Sequence, residues 1–123
     1  MSAFAPYVEA WRQRWARQKE ADREAAARAR AVLPGLVEIL RDRYGARRVV
    51  LVGSLARGGF RAGSDIDLAA EGIPDDAFFR AGADLEAAAG GIHVDLVPLE
   101  AADPEYLAHL CADGELLHDS RGR

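Results

Sequence analysis

The sequence predicts an α+β domain, a small mixed β-sheet flanked by helices, with a long N-terminal helical extension. Three observations carry this. The apolar run Val49-Val50-Leu51-Val52 reads as a buried strand. Residues 64–70 alternate polar and apolar in the manner of a half-buried strand, and residues 92–97 do so again around Asp95. The first thirty residues instead place Phe4, Val8, Trp11 and Trp15 four, three and four apart, a helical stripe.

Length and composition bound what the chain can be. Its 123 residues suffice for one domain with one core. Half are hydrophobic, but many of these are Ala, so the core is thinner than that fraction suggests. A net charge of −4 makes no general case for nucleic-acid binding. The single cysteine, Cys111, forms no internal disulfide, as expected in a reducing cytoplasm, and reads as a small packing residue. No apolar run approaches the ~20 residues of a membrane span, and the N-terminus lacks a signal-peptide pattern. A soluble cytoplasmic protein is the expectation.

In chain order, one helix is expected from about residue 6 to 31. Beyond Trp15 its pattern weakens into Ala and charge, residue types of high helix propensity. Between Glu9 and Arg30 it carries seven Arg or Lys against four acids, a locally basic segment in an acidic chain. Pro34 either kinks this helix or starts a second one, whose core face is Leu36, Val37, Ile39, Leu40 and Tyr44. Gly45 is a natural stop. A strand follows over 47–52, a short helix after Ser54, and a strand over 64–70. A helix is predicted over 75–89, capped by Asp75 or Asp76 and broken by Gly90-Gly91. Then come the Asp95 strand over 92–97, a short helix over 103–111, and a last edge strand at Glu115-Leu116-Leu117-His118. Residues 1–33 are taken as the extension, 34–119 as the main domain and 120–123 as a loose tail.

The chemistry concentrates in residues 53–68, Gly53-Ser54-Leu55-Ala56-Arg57-Gly58-Gly59-Phe60-Arg61-Ala62-Gly63-Ser64-Asp65-Ile66-Asp67-Leu68. Along the second strand Asp65 and Asp67 share one face, about 7 Å apart, and Ile66 and Leu68 share the other. Two carboxylates this close repel each other, and a hard cation such as Mg²⁺ relieves this best. A Gly-Ser turn after a strand exposes backbone N–H groups that attract phosphate. Arg57 and Arg61 are either phosphate partners or solvated loop residues. Together these features suggest metal-dependent chemistry on a nucleotide. His109 and His118 read as surface or partly packed residues. His93 shares a face with Asp95 and is assigned no role. The Trp11/Trp15 stripe either packs on this domain or meets another subunit or partner.

Gly53-Ser54, ten intervening residues, then Asp65-Ile66-Asp67 resembles the nucleotidyltransferase signature of the DNA polymerase β superfamily. The fuller pattern, Gly53 to Gly58 and Ser64 to Leu68 with Asp95 on a later strand, is most similar to the minimal nucleotidyltransferases, over roughly residues 36–119. The resemblance implies a polymerase β-like fold and transfer of AMP from ATP. It implies that Asp65, Asp67 and Asp95 hold Mg²⁺ and carry catalysis, with Gly53, Ser54, Arg57 and Ser64 binding the nucleotide. It further implies an antitoxin that modifies a tyrosine of a HEPN-domain toxin. Two other functions stay open: transfer to a small molecule of the aminoglycoside type, and a non-catalytic partner-binding module. The long N-terminal helix departs from the smallest members. It offers a different docking surface, or a homo-oligomer contact.

Overall fold

The computed structural model describes residues 3–120. Four strands form one mixed sheet in the order β3-β2-β1-β4. β1 (Arg48–Val52) pairs antiparallel with β2 (Ile66–Glu71) and with β4 (Glu115–Asp119), while β3 (Val94–Pro98) runs parallel to β2. The helices are α1 (Ala5–Asp42), α2 (Gly53–Arg57), α3 (Phe78–Ala88) and α4 (Pro104–Cys111), with short 3₁₀ turns at Asp75–Ala77 and Leu99–Ala101.

The pleat of the central strands sorts the core into two layers. Val49 and Leu51 of β1, with Ile66, Leu68 and Ala70 of β2, face α1 and α3 and join Leu33, Leu36, Leu40, Ala81 and Leu85 in the main core. Val50, Val52 and Ala69 face the other way, onto Leu99 and the α4 side chains Leu107, Leu110 and Cys111. Cys111 is the packing residue expected. Asp67 lies between Ile66 and Leu68, so its side chain emerges on the α4 face.

α1 is a single helix of 38 residues with Pro34 inside it, so the proline does not start a second helix. Proline in a helix interior forfeits a hydrogen bond and costs about 3 kcal/mol. Pro34 and Gly35 are exposed, so water can reach the freed carbonyl. Leu33, Leu36 and Leu40, all buried in the same core, anchor the helix on both sides of the proline. The helix ends at Asp42, and Gly45, the expected stop, closes the turn beyond it: it takes a left-handed conformation (φ 71°) and donates to the Arg41 carbonyl at 3.2 Å. Leu36→Ala empties part of this packing. The expected loss is about 2–5 kcal/mol, a large share of the total stability of such a domain, and urea unfolding measures it.

Three boundaries differ from the sequence reading. β2 starts at Ile66, not Ser64, so Asp65 sits at the mouth of the strand. The β1–β2 register closes at Val52 opposite Asp67, which leaves residues 64 and 65 to the loop. β3 starts at Val94, after the turn at Gly90-Gly91, and the His93 carbonyl just before it accepts from the Ile66 N–H of β2 at 2.9 Å. Neither Asp75 nor Asp76 caps α3: a 3₁₀ turn set up by Pro74 comes first, and α3 begins after Ala77. β4 is an edge strand, as read. Ser120, placed by the sequence reading in a loose tail, donates its N–H to the Arg47 carbonyl at 2.9 Å; the rest of that tail lies outside the described residues.

Candidate active site

The register of the sheet assembles the site. Val52 of β1 lies opposite Asp67 of β2, and Asp67 lies beside Asp95 of β3. The row ends one residue before Gly53, where the chain leaves the sheet. Gly53 adopts φ 75°, a left-handed conformation that glycine takes without strain. The bend presses its Cα against the Asp67 carboxylate. A Cβ built there would stand 3.0 Å from Asp67 Cγ and run into Oδ2. The Gly53 turn and the Asp67 carboxylate are thus one packed unit. α2 follows for five residues and ends at Gly58, also left-handed (φ 87°).

Burial pushes the Asp67 carboxyl above the usual carboxylate range, and the neighbouring charges of Asp95 and Asp65 push it further. A hydrogen bond with Asp95 adds to this, while Arg57 opposes it. On the far side, ligand atoms of Asp65, His93 and Asp95 all lie within 4.8 Å of one another, a spacing that could hold a metal ion. Three neighbouring carboxylates, of which Asp67 packs against the glycine turn and is driven toward its protonated form, fit a hard divalent cation.

His93 is the residue that sequence reasoning set aside. Its Nε2 lies 2.9 Å from Asp95 Oδ1, and its Nδ1 contacts Glu86 Oε1. The same Glu86 oxygen accepts the Val94 N–H at 3.1 Å, so α3 anchors the histidine to the start of β3. The Asp95 hydrogen bond raises the His93 pKa; burial opposes it, and the charges of Glu86, Asp95 and Asp65 add to the rise. A histidine two residues before an aspartate on a strand was the available signal. Glu86 carried none, because only the packing of α3 brings it there.

Two clefts open onto the carboxylates. One, of about 450 Å³, is lined by Gly53, Arg57, Asp67 and Asp95, with Tyr106 and His109 of α4 on its far wall. The other, of about 270 Å³, is lined by Ser64, Asp65 and His93, with Phe60 and by Ala25 and Arg28 of α1. Ser64 thus lines the second cleft rather than the first, and its hydroxyl accepts the Arg61 N–H at 3.0 Å, closing the loop. Arg61 faces neither and lines a hollow against α1. Tyr106 and His109 share one face of α4 at helical spacing, but nothing in the sequence says that this face meets Asp95.

This fold and this carboxylate row define a nucleotidyltransferase domain. The nucleotidyltransferase domain family matches residues 33–108, and the chain belongs to it. A candidate minimal nucleotidyltransferase of known structure is 31% identical, with a TM-score of 0.56, over 76% of this chain and 92% of that one. A toxin–antitoxin structure with AMP-PNP is 26% identical, with a TM-score of 0.62, over 72% of this chain and 74% of that one. The complex of a tri-AMPylated HEPN toxin from Shewanella oneidensis with an MNT antitoxin shares the fold, at 21% identity and a TM-score of 0.60, over 76% of this chain and 75% of that one. No curated protein sequence matches. Among the described residues, no helix is long and apolar enough to cross a membrane.

Proposed function

We propose that the chain transfers AMP from ATP to a hydroxyl of a protein partner, and that the partner is a HEPN-type toxin which the transfer silences. The observation that carries the chemistry is the in-register row of Asp67 and Asp95, with Asp65 at its mouth and the Gly53 turn packed against it. The likeness to toxin–antitoxin complexes, one with AMP-PNP and one with an AMPylated toxin, supports the choice of donor and acceptor.

In this reading Asp65, Asp67 and Asp95 hold Mg²⁺, which offsets the charge of the triphosphate and of the transferred phosphoryl group. The Ser54 hydroxyl and the N–H groups of the glycine turn bind phosphate oxygens, and Arg57 at the rim of the same cleft adds positive charge. The acceptor hydroxyl oxygen attacks the α-phosphorus, the bond to the bridging oxygen breaks, and pyrophosphate leaves. The Asp95 carboxylate takes the acceptor proton. His93, tied back to Glu86, fixes where that carboxylate points.

His93→Ala is therefore expected to lower kcat about 10–100-fold, the usual cost of removing a group that orients a ligand. His93→Gln keeps one N–H donor and recovers most of the loss. If both variants fall equally, the orienting bond is not what matters.

The test is transfer from α-labelled ATP with Mg²⁺ in lysate of the source cell, wild type against Asp67→Asn. A protein band labelled only by wild type supports the reading. Label confined to small molecules replaces it with an antibiotic-type transferase. A partner neutralised equally well by Asp67→Asn replaces it with a binding module.

A further inference from the structure

We propose that the projecting half of α1 is the docking rail for the protein acceptor, a partner with an apolar groove bordered by acidic side chains. The inference rests on the transfer reading above and names the surface that reading lacks.

Residues 3–20 are all exposed, and the first buried residue of α1 is Ala25. The expected stripe thus finds no place in the domain's own core: Phe4, Val8, Trp11 and Trp15 are 71%, 52%, 69% and 62% exposed, and Tyr7 beside them is 69% exposed. Eighteen residues make five whole turns of an α-helix. Tyr7 therefore stands on the azimuth of Ala25, Trp11 on that of Ala29 and Trp15 on that of Leu33. Ala25, Ala29 and Leu33 are the face that α1 buries on the sheet. The exposed aromatics are the outward continuation of that face, overhanging the domain.

That face leads to the carboxylates. Below Trp15, the side chains of Lys19, Asp22 and Arg23 form a hollow of about 570 Å³ with Gly58, Gly59 and Arg61. Asp22 pins this loop to the helix, accepting the Ala62 N–H at 3.0 Å. One turn on, Ala25 and Arg28 wall the cleft that holds Asp65 and His93. From Trp15 to Arg28 is thirteen residues, about 20 Å of helix. A molecule spanning that length is a macromolecule, and its hydroxyl would enter on the side of the carboxylates away from Gly53 and Arg57. In-line displacement requires the attacking and leaving oxygens to lie on opposite sides in this way.

Charge selects the occupant. Residues 5–19 carry four bases (Arg12, Arg14, Arg17, Lys19) and one acid (Glu9), a net of +3, so with a total of −4 the remaining residues carry −7. Two copies joined helix to helix would oppose like charges. Arg14 and Lys19 each sit 5.0 Å from the ring centres of Trp11 and Trp15, placing positive charge over the aromatics themselves. An acidic protein surface satisfies both features. RNA would use the bases but leave Val8 and the aliphatic part of the stripe uncovered.

The experiment compares wild type, Trp11→Ser/Trp15→Ser and Arg14→Glu/Lys19→Glu. The assays are label transfer from α-labelled ATP in source-cell lysate, binding of AMP-PNP by the purified chain, and light-scattering mass. Both double variants should lose labelling of the protein band about 10-fold or more, with AMP-PNP affinity and melting temperature unchanged. Equal labelling by wild type and variants overturns the docking rail and leaves the transfer reading standing. A wild-type dimer that the Trp variant splits assigns the face to a second copy instead, and ribonuclease-sensitive label assigns it to RNA. If wild type labels no protein at all, the transfer reading itself fails and the rail falls with it.

Discussion

Asp67→Asn is expected to lower nucleotidyl transfer about 100-fold or more and, at the same time, to make the metal-free protein harder to unfold at neutral pH. The two effects share one cause. Burial and the charges of Asp95 and Asp65 disfavour ionised Asp67 in the folded chain, so its pKa lies above the ordinary 3.8. A carboxyl whose pKa rises on folding favours the native state only while protonated. Its favourable contribution is complete below about pH 3.8 and is lost as pH rises through the higher folded value. At pH 7 the ionised group is a cost, and the neutral amide removes it. Thermal melts of metal-free protein should show Asp67→Asn a few degrees above wild type at pH 7, converging as pH falls toward 4. Adding Mg²⁺ should raise the wild-type melt and leave the variant unmoved, because only wild type offers the full carboxylate set. An Asn variant less stable than wild type at pH 7 would remove the repulsion argument. An active one would remove the metal assignment.

Gly53→Ala should be nearly as damaging to activity, for a steric reason. The position combines a left-handed backbone, which costs an L-residue about 1–2 kcal/mol, with a Cβ that would collide with Asp67 Oδ2. Gly58 separates the two terms. It too is left-handed (φ 87°), but beyond its own chain neighbours nothing lies within 4 Å of where its Cβ would go. Gly58→Ala should cost only stability, about 1 kcal/mol, with transfer kept. Gly53→Ala should cost that and also displace Asp67. Misplacing a reacting group by about 1 Å is worth on the order of 100-fold in rate. Urea unfolding and label transfer on both variants measure the two effects. Equal activity in the pair would mean that the close packing of the turn on Asp67 has no chemical role.

The resemblance drawn from residues 53–68 anticipated the family and the fold, since strand, glycine turn and paired aspartates follow one another with little freedom between them. Asp95 was legible as well, because an alternating strand advertises which of its residues share a face. Pro34 was not. Local rules penalise a proline there, and only Leu33, Leu36 and Leu40 settling on one core outweighs the penalty. The caps at Asp75 and Asp76 failed for a similar reason: Pro74 starts a 3₁₀ turn, so the helix begins at Phe78, three residues later than composition suggests.

What the sequence by itself determined are the features of period and spacing: a helix in front, alternating strands, and carboxylates beside a turn that needs glycine. These follow from the geometry of single elements. The tertiary structure alone decided which strands are neighbours, and so that Asp67 and Asp95 stand side by side while Glu86 reaches His93 across the Gly90-Gly91 turn. It alone decided that one helical stripe is core from Ala25 onward and exposed before it. Burial depends on where the rest of the domain ends, and no local pattern of residues records that.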